Sequence, residues 1–225
     1  ANRIFINFDR SRQYHPEYVN YTRGTKVKQG DVILCGFPYS FEMTDAVRRN
    51  DLEAYAFPVT DVHGPAMTWA MFAVGWLQLG NYTAARDNFL RGYSNIKPPF
   101  AVWTETPGGG TVNFITGAGG FLQSVVFGYG GIRLQEDRLA LQVPPLPLGS
   151  TSLTMRGVHY QGNKLSIAIT AGTVTVEVME TDEGAAALVL CTADGTPRRL
   201  IAGAQLRFSR AAAASIRFSD SDNCE

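Results

Sequence analysis

The sequence predicts a chain that is mainly α and then β: layered helices followed by an antiparallel β-sandwich. Three observations carry that prediction. Apolar residues recur near every 3.6 positions up to about residue 130 and at every second position after Gly131. A helix with no polar face is followed by one with two distinct faces, the alternation expected of concentric helical rings. Turn residues then separate short alternating runs at the spacing of a sandwich. These changes place a helical region over 1–130 and a sandwich over 131–225.

Thr44 precedes the largely polar run Asp45 to Tyr55 and reads as the N-cap of a helix. Pro65 then stands where a first-turn proline belongs, opening a helix to about Leu79. Met67, Trp69, Met71, Phe72, Val74, Trp76 and Leu77 surround that helix on every side, so it is expected to be buried all round. The next helix, Thr83 to Tyr93, carries Ala85, Phe89, Leu90 and Tyr93 as an inner stripe and Arg86, Asp87, Asn88 and Arg91 outside. An apolar segment, Phe121 to Phe127, follows Gly117, Gly119 and Gly120 and is stopped by Gly128-Tyr129-Gly130-Gly131. Those first glycines allow close helix packing or close approach of backbone to a ligand. Beyond them, Leu165, Ile167 and Ile169 alternate with small polar residues, as do Val174, Val176 and Val178. Gln161-Gly162-Asn163, Ala171-Gly172 and Asp194-Gly195 are the expected turns, and Pro144-Pro145-Leu146-Pro147 a rigid crossover.

Lys plus Arg equals Asp plus Glu at 20 each among 225 residues, so no basic stripe exists to neutralise phosphates and no nucleic-acid partner is expected. No apolar run reaches the roughly 18 residues of a membrane span, since Thr68, Gly75 and Gln78 break the longest one. Three cysteines, Cys35, Cys191 and Cys224, are too few and too scattered for a disulfide framework and read as buried or free thiols. His15, His63 and His159 lack metal-ligand spacing, so neither a metal nor a cofactor is expected. The glycines at 117–120 match neither a P-loop nor a dinucleotide fingerprint. Asn20-Tyr21-Thr22 and Asn81-Tyr82-Thr83 are glycosylation sequons, relevant only to a secreted protein. The chain opens Ala-Asn-Arg-Ile-Phe-Ile-Asn-Phe, which reads as a start in mid-domain.

Two places hold side chains suited to carbohydrate chemistry. Cleaving a glycosidic bond takes two carboxyl groups, one to protonate the leaving oxygen and one to activate water or attack the sugar. Glu105, in Phe100-Ala101-Val102-Trp103-Thr104-Glu105-Thr106-Pro107-Gly108-Gly109-Gly110, reads as an acid on a loop at the end of a helix. The same pattern also describes a solvated surface glutamate. Lys28-Gln29 offers an ammonium, an amide donor and an amide acceptor, a set that fits sugar hydroxyls. It equally describes a surface lysine ahead of the apolar run Val32-Ile33-Leu34.

Together the segments resemble glycoside hydrolase family 65, in its acid-trehalase-like branch. Val27-Lys28-Gln29-Gly30-Asp31-Val32 is similar to that family's Lys-Gln-Ala-Asp-Val signature, with Gly30 in place of Ala. Gly64-Pro65-Ala66-Met67-Thr68-Trp69 and the stretch from Asn113 through Gln123 to Gly131 follow in the family's order, over roughly residues 1–165. The resemblance implies the last helices of an (α/α)6 barrel followed by a β-sandwich, with an α-glucoside as substrate. It also implies that Lys28 and Gln29 bind the glucose being released, while Glu105 is the general base that activates water. Phosphorylases of the family carry Gly-Ile-His where this chain has Asn113-Phe114-Ile115, which favours hydrolysis. The family's general acid lies upstream of the Lys-Gln pair and no residue here matches it. The expectation is therefore a fragment or short isoform of a longer protein, inactive alone for want of its acid.

Overall fold

The computed structural model describes residues 6–218 and Cys224. Residues 1–5, where the chain was read as opening in mid-domain, lie outside the described residues. The chain forms two compact units, Ala1–Ser124 and Val125–Glu225.

The described part of the first unit opens with turns and isolated bridges, Asp9 with Tyr14 and Val27 with Thr60, and then a 3-10 turn, Asp31–Cys35. Helices α1 (Asp45–Tyr55), α2 (Ala66–Gln78) and α3 (Tyr82–Gly92) follow. Thr44 caps α1, its hydroxyl accepting from the Val47 N–H at 3.3 Å. On the inner side of α1, Asp51 is fully buried and accepts from the His15 backbone N–H at 2.7 Å and faces the His15 ring at 2.8 Å. That pair ties the turns around His15 to the helix. Helix α2 packs against α1, α3 and α4 (Ile115–Gln123), and 11 of its 13 residues are buried, as its lack of a polar face requires. Asn81 caps α3 through its side chain, so the second sequon starts a helix. In α3 the inner stripe is narrower than expected: Ala85 is buried, whereas Leu90 is exposed.

Between α3 and α4 the chain forms a three-stranded antiparallel sheet, β1 (Ile96–Lys97), β2 (Val102–Thr106) and β3 (Gly109–Val112). Glu105 therefore sits on a strand, not on the loop ending a helix that its neighbours suggested. The β-branched residues Val102, Thr104 and Thr106 favour the strand, and Pro107-Gly108 closes the hairpin. Helix α4 also starts earlier than expected and contains the glycines. A Cβ on Gly117 would lie 3.0 Å from Trp103 and 3.1 Å from Ala66, and one on Gly120 would lie 3.2 Å from Ala70. Close packing of α4 on α2 is thus the use made of those two glycines.

A π-type turn, Ser124–Tyr129, leads into the second unit. There β4 (Ile132–Leu134), β5 (Arg138–Leu141), β9 (Leu188–Thr192), β10 (Pro197–Leu200) and β12 (Ala214–Phe218) form one antiparallel sheet in the order β10-β9-β12-β5-β4. The other, in the order β11-β8-β7-β6, holds β6 (Ser152–Tyr160), β7 (Asn163–Thr170), β8 (Thr173–Thr181) and β11 (Gln205–Ser209). Leu165, Ile167, Ile169, Val174, Val176 and Val178 from one sheet share a core with Leu139, Leu141, Leu188, Leu190 and Ile216 from the other. The proline-rich stretch carries the chain from β5 in the first sheet to β6 in the second, with Leu146 against the core.

The cysteine expectation is overturned. Cys191 and Cys224 form a disulfide with Cα atoms 5.4 Å apart, leaving Cys35 as the free thiol. Counting cysteines misses this because one isolated bridge needs only two side chains brought together in space. The bridge closes a loop of 33 residues, which by chain-entropy reasoning stabilises by about 3–4 kcal/mol. Cys191→Ser is expected to lower the unfolding midpoint under oxidising conditions and to leave it unchanged under reducing ones. Parallel thermal melts with and without reductant check this.

Candidate active site

Glu105 occupies an irregular point of its sheet. Thr104 pairs with Val112 and Thr106 with Gly109, so Glu105 on β2 faces two residues of β3, Gly110 and Thr111. Gly110 has φ +83, the left-handed glycine of such a bulge. Its missing side chain leaves room for the carboxylate, because a Cβ there would lie 3.0 Å from Glu105 Oε2. Lys97 donates to the Pro107 carbonyl at 2.8 Å and ties the hairpin turn to β1. On the inner side, Trp103 donates to the Gly92 carbonyl at 3.3 Å and packs on Phe121.

Lys28 reaches this hairpin from a distant part of the chain. Val27 is paired on both sides, its N–H donating to Val59 and its carbonyl accepting from Asp61. That bridge presents the next residue, and Lys28 Nζ lies 3.3 Å from Glu105 Oε1 across 77 positions of sequence. Gly64 makes the approach possible: a Cβ there would come within 2.6 Å of the Lys28 carbonyl oxygen and 2.8 Å of that of Asp61. Gln29 turns elsewhere, its amide donating to Asp31 at 2.8 Å. The structure thus brings Lys28 and Glu105 together, whereas the Gln29 amide is engaged by Asp31.

A further group, Glu17, shapes this corner without any sequence signal. The Glu17 carboxylate accepts from the Asp31 N–H at 2.9 Å and from the Val32 N–H at 3.4 Å, capping the 3-10 turn that follows the Lys-Gln pair. Burial raises its pKa, offset in part by those two backbone donors. A raised folded pKa makes its contribution most favourable below the unfolded value, lost as pH rises through the folded one. Glu17→Gln keeps an acceptor but removes the charge, so stability curves of the two proteins are expected to diverge in its favour on going up through the carboxylate range. Denaturant melts at a series of pH values measure this. Gly30, where the family signature has Ala, is pressed on Tyr55: a Cβ would lie 2.7 Å from Tyr55 Cβ. The departure from the signature has a local steric cause.

Chemically, the corner offers one carboxylate with an ammonium 3.3 Å from one oxygen and Gly110, which has no side chain, beside the other. Lys28 is largely exposed and Glu105 about three-quarters covered, 70% and 24% accessible in their side chains. Such a pair adds at most about 1 kcal/mol to stability. Its interest is chemical: a carboxylate beside an ammonium that can donate to hydroxyls.

No family model matches the chain. It is 50% identical over 183 residues to protein-glucosylgalactosylhydroxylysine glucosidase of Danio rerio, covering 81% of this chain and 28% of that protein. The protein of the same name from Dictyostelium discoideum is 46% identical over 180 residues, 80% of this chain and 25% of the relative. The chain therefore spans about a quarter of the length of the curated relatives it matches. Among solved structures, one described as a kojibiose phosphorylase from the human microbiome superposes with a TM-score of 0.66 over 93% of this chain and 33% of that one. Its sequence identity of 16% makes it evidence about fold alone. With relatives at such identity, and with kojibiose hydrolases and acid trehalases among more distant ones, the chain belongs to glycoside hydrolase family 65.

Proposed function

We propose that this chain supplies the general base and part of the glucose site of an inverting α-glucosidase. The substrate we infer is glucosyl-galactosyl-hydroxylysine, the unit in the names of the relatives at 45–50% identity, and we propose collagen as the protein that carries it. In this reading α1 to α4 are the last helices of an (α/α)6 barrel whose remainder precedes them in the full-length protein. Glu105 removes a proton from water as it attacks the anomeric carbon, and Lys28 and Gln29 hold hydroxyls of the departing glucose. An upstream carboxylic acid, about 6.5–9.5 Å from Glu105, protonates the leaving oxygen. Without that acid the fragment alone turns nothing over.

The observation that carries the reading is the approach of Lys28 to Glu105 from 77 residues away. Two groups singled out for separate chemical reasons meet at one point. The same carboxylate disfavours a phosphorylase, because it would repel phosphate where it can activate water.

The test uses the full-length protein with glucosyl-galactosyl-hydroxylysine, followed by proton NMR from the first turnovers. β-Glucose is expected to appear first and to mutarotate afterwards. α-Glucose as first product would overturn inversion, and glucose-1-phosphate formed on adding inorganic phosphate would replace hydrolysis by phosphorolysis.

A further inference from the structure

We propose that Asn95 is a positioning residue for the carboxylate of Glu105, an inference that rests on Glu105 being the base. A bulge normally leaves a strand locally under-bonded, free to shift its side chains by fractions of an ångström. Here the lost ladder contacts are replaced from outside the strand. Asn95 is 2% exposed, and its amide Nδ2 donates to the Glu105 carbonyl at 3.1 Å and to the Thr104 carbonyl at 3.4 Å. In return the buried Thr104 hydroxyl donates to the Asn95 carbonyl at 3.0 Å. A buried amide with two backbone acceptors is a rigid peg, because leaving either unpaired costs about 1–3 kcal/mol. Its targets are the peptide that carries the carboxylate and the one before it. With Gly110 leaving room on one side and Lys28 on the other, the peg fixes the height of Glu105 above the sheet.

Positioning of this kind is expected to act on the chemical step more than on binding. A displacement of about 1 Å can cost about a hundredfold in rate. In the full-length protein, Asn95→Ala is expected to lower kcat by about tenfold or more, with KM changed by less than about twofold. Asn95→Ser, smaller but polar, serves should the alanine variant fail to fold. The decisive measurement is the cycle with Glu105→Gln. A residue that acts only through Glu105 adds no further loss of kcat once that carboxylate is gone, while its effect on the melting temperature persists in both backgrounds. Wild-type kcat in a folded Asn95 variant, with Glu105→Gln inactive, would overturn the inference and leave the base intact. Full additivity of the two losses would overturn it too, by placing the action of Asn95 elsewhere. Undiminished turnover in Glu105→Gln alone would remove the base and the peg with it.

Discussion

Replacing Glu105 by Gln in the full-length protein is expected to lower kcat for glucose release by about 10²–10⁴-fold, the usual contribution of a general base. This corresponds to about 3–5.5 kcal/mol of transition-state stabilisation. The substitution is nearly isosteric, and the Gln carbonyl oxygen can still accept from Lys28 Nζ, now 3.3 Å away. Gly110 still leaves the room the side chain needs. KM is therefore expected to change little, and so is the melting temperature, because the ion pair lost has a lysine that is 70% accessible and contributes at most about 1 kcal/mol. A loss confined to kcat separates a catalytic group from a structural one. Steady-state kinetics with a thermal melt on the same preparation decides it. Turnover near that of the wild type would take Glu105 out of the mechanism whatever its surroundings.

The parts of this fold legible in the sequence are those with a period. Leu165, Ile167, Ile169, Val174, Val176 and Val178 face one core because successive strand residues point to opposite sides, and alternation in sequence becomes burial directly. Helix α2 was legible for the converse reason, since apolar residues on every face leave it no place but the interior. Contacts between distant segments carry no such period. Lys28 and Glu105 were each suggestive alone, and only the folded chain shows them 3.3 Å apart. Asn95 and Glu17 had no signal at all, because a buried amide or carboxylate bonding to backbone can stand in almost any local sequence. The strand bearing Glu105 was misread as a loop since Pro107 and its glycines outweighed the β-branched residues before them. In retrospect the glycines of the family-like segments were the most informative letters. Gly64 lies against Lys28 and Gly117 against Trp103 and Ala66, so each marks where one segment touches another.

Gly131→Ala is expected to have the largest effect on stability in the second unit. Gly131 has φ +66, which a Cβ disfavours, and it stands just before β4. A Cβ there would overlap the Gln142 carbonyl oxygen and lie 2.6 Å from its carbon and 2.8 Å from Val143 Cα. These are backbone atoms, so no side chain can rotate out of the way. The same two residues are already joined, the Gln142 N–H donating to the Gly131 carbonyl at 3.0 Å. Relief therefore requires moving β4 away from β5, and with it Ile132, which pairs with Leu141 and is buried in the core. Overpacking of this kind costs about 1–3 kcal/mol, and the left-handed backbone adds roughly 1 kcal/mol. The sum lowers the midpoint of that unit by roughly 10–30 °C. Gly119→Ala is the matched control, a helical glycine of α4 with nothing within 4 Å of its Cβ position. It is expected to stabilise by up to about 1 kcal/mol, since alanine is the better helix former. Thermal unfolding followed by circular dichroism at a β-sheet wavelength compares the two. Equal midpoints for the wild type and Gly131→Ala would show that β4 can shift freely from β5, contrary to the close backbone packing that makes glycine necessary there.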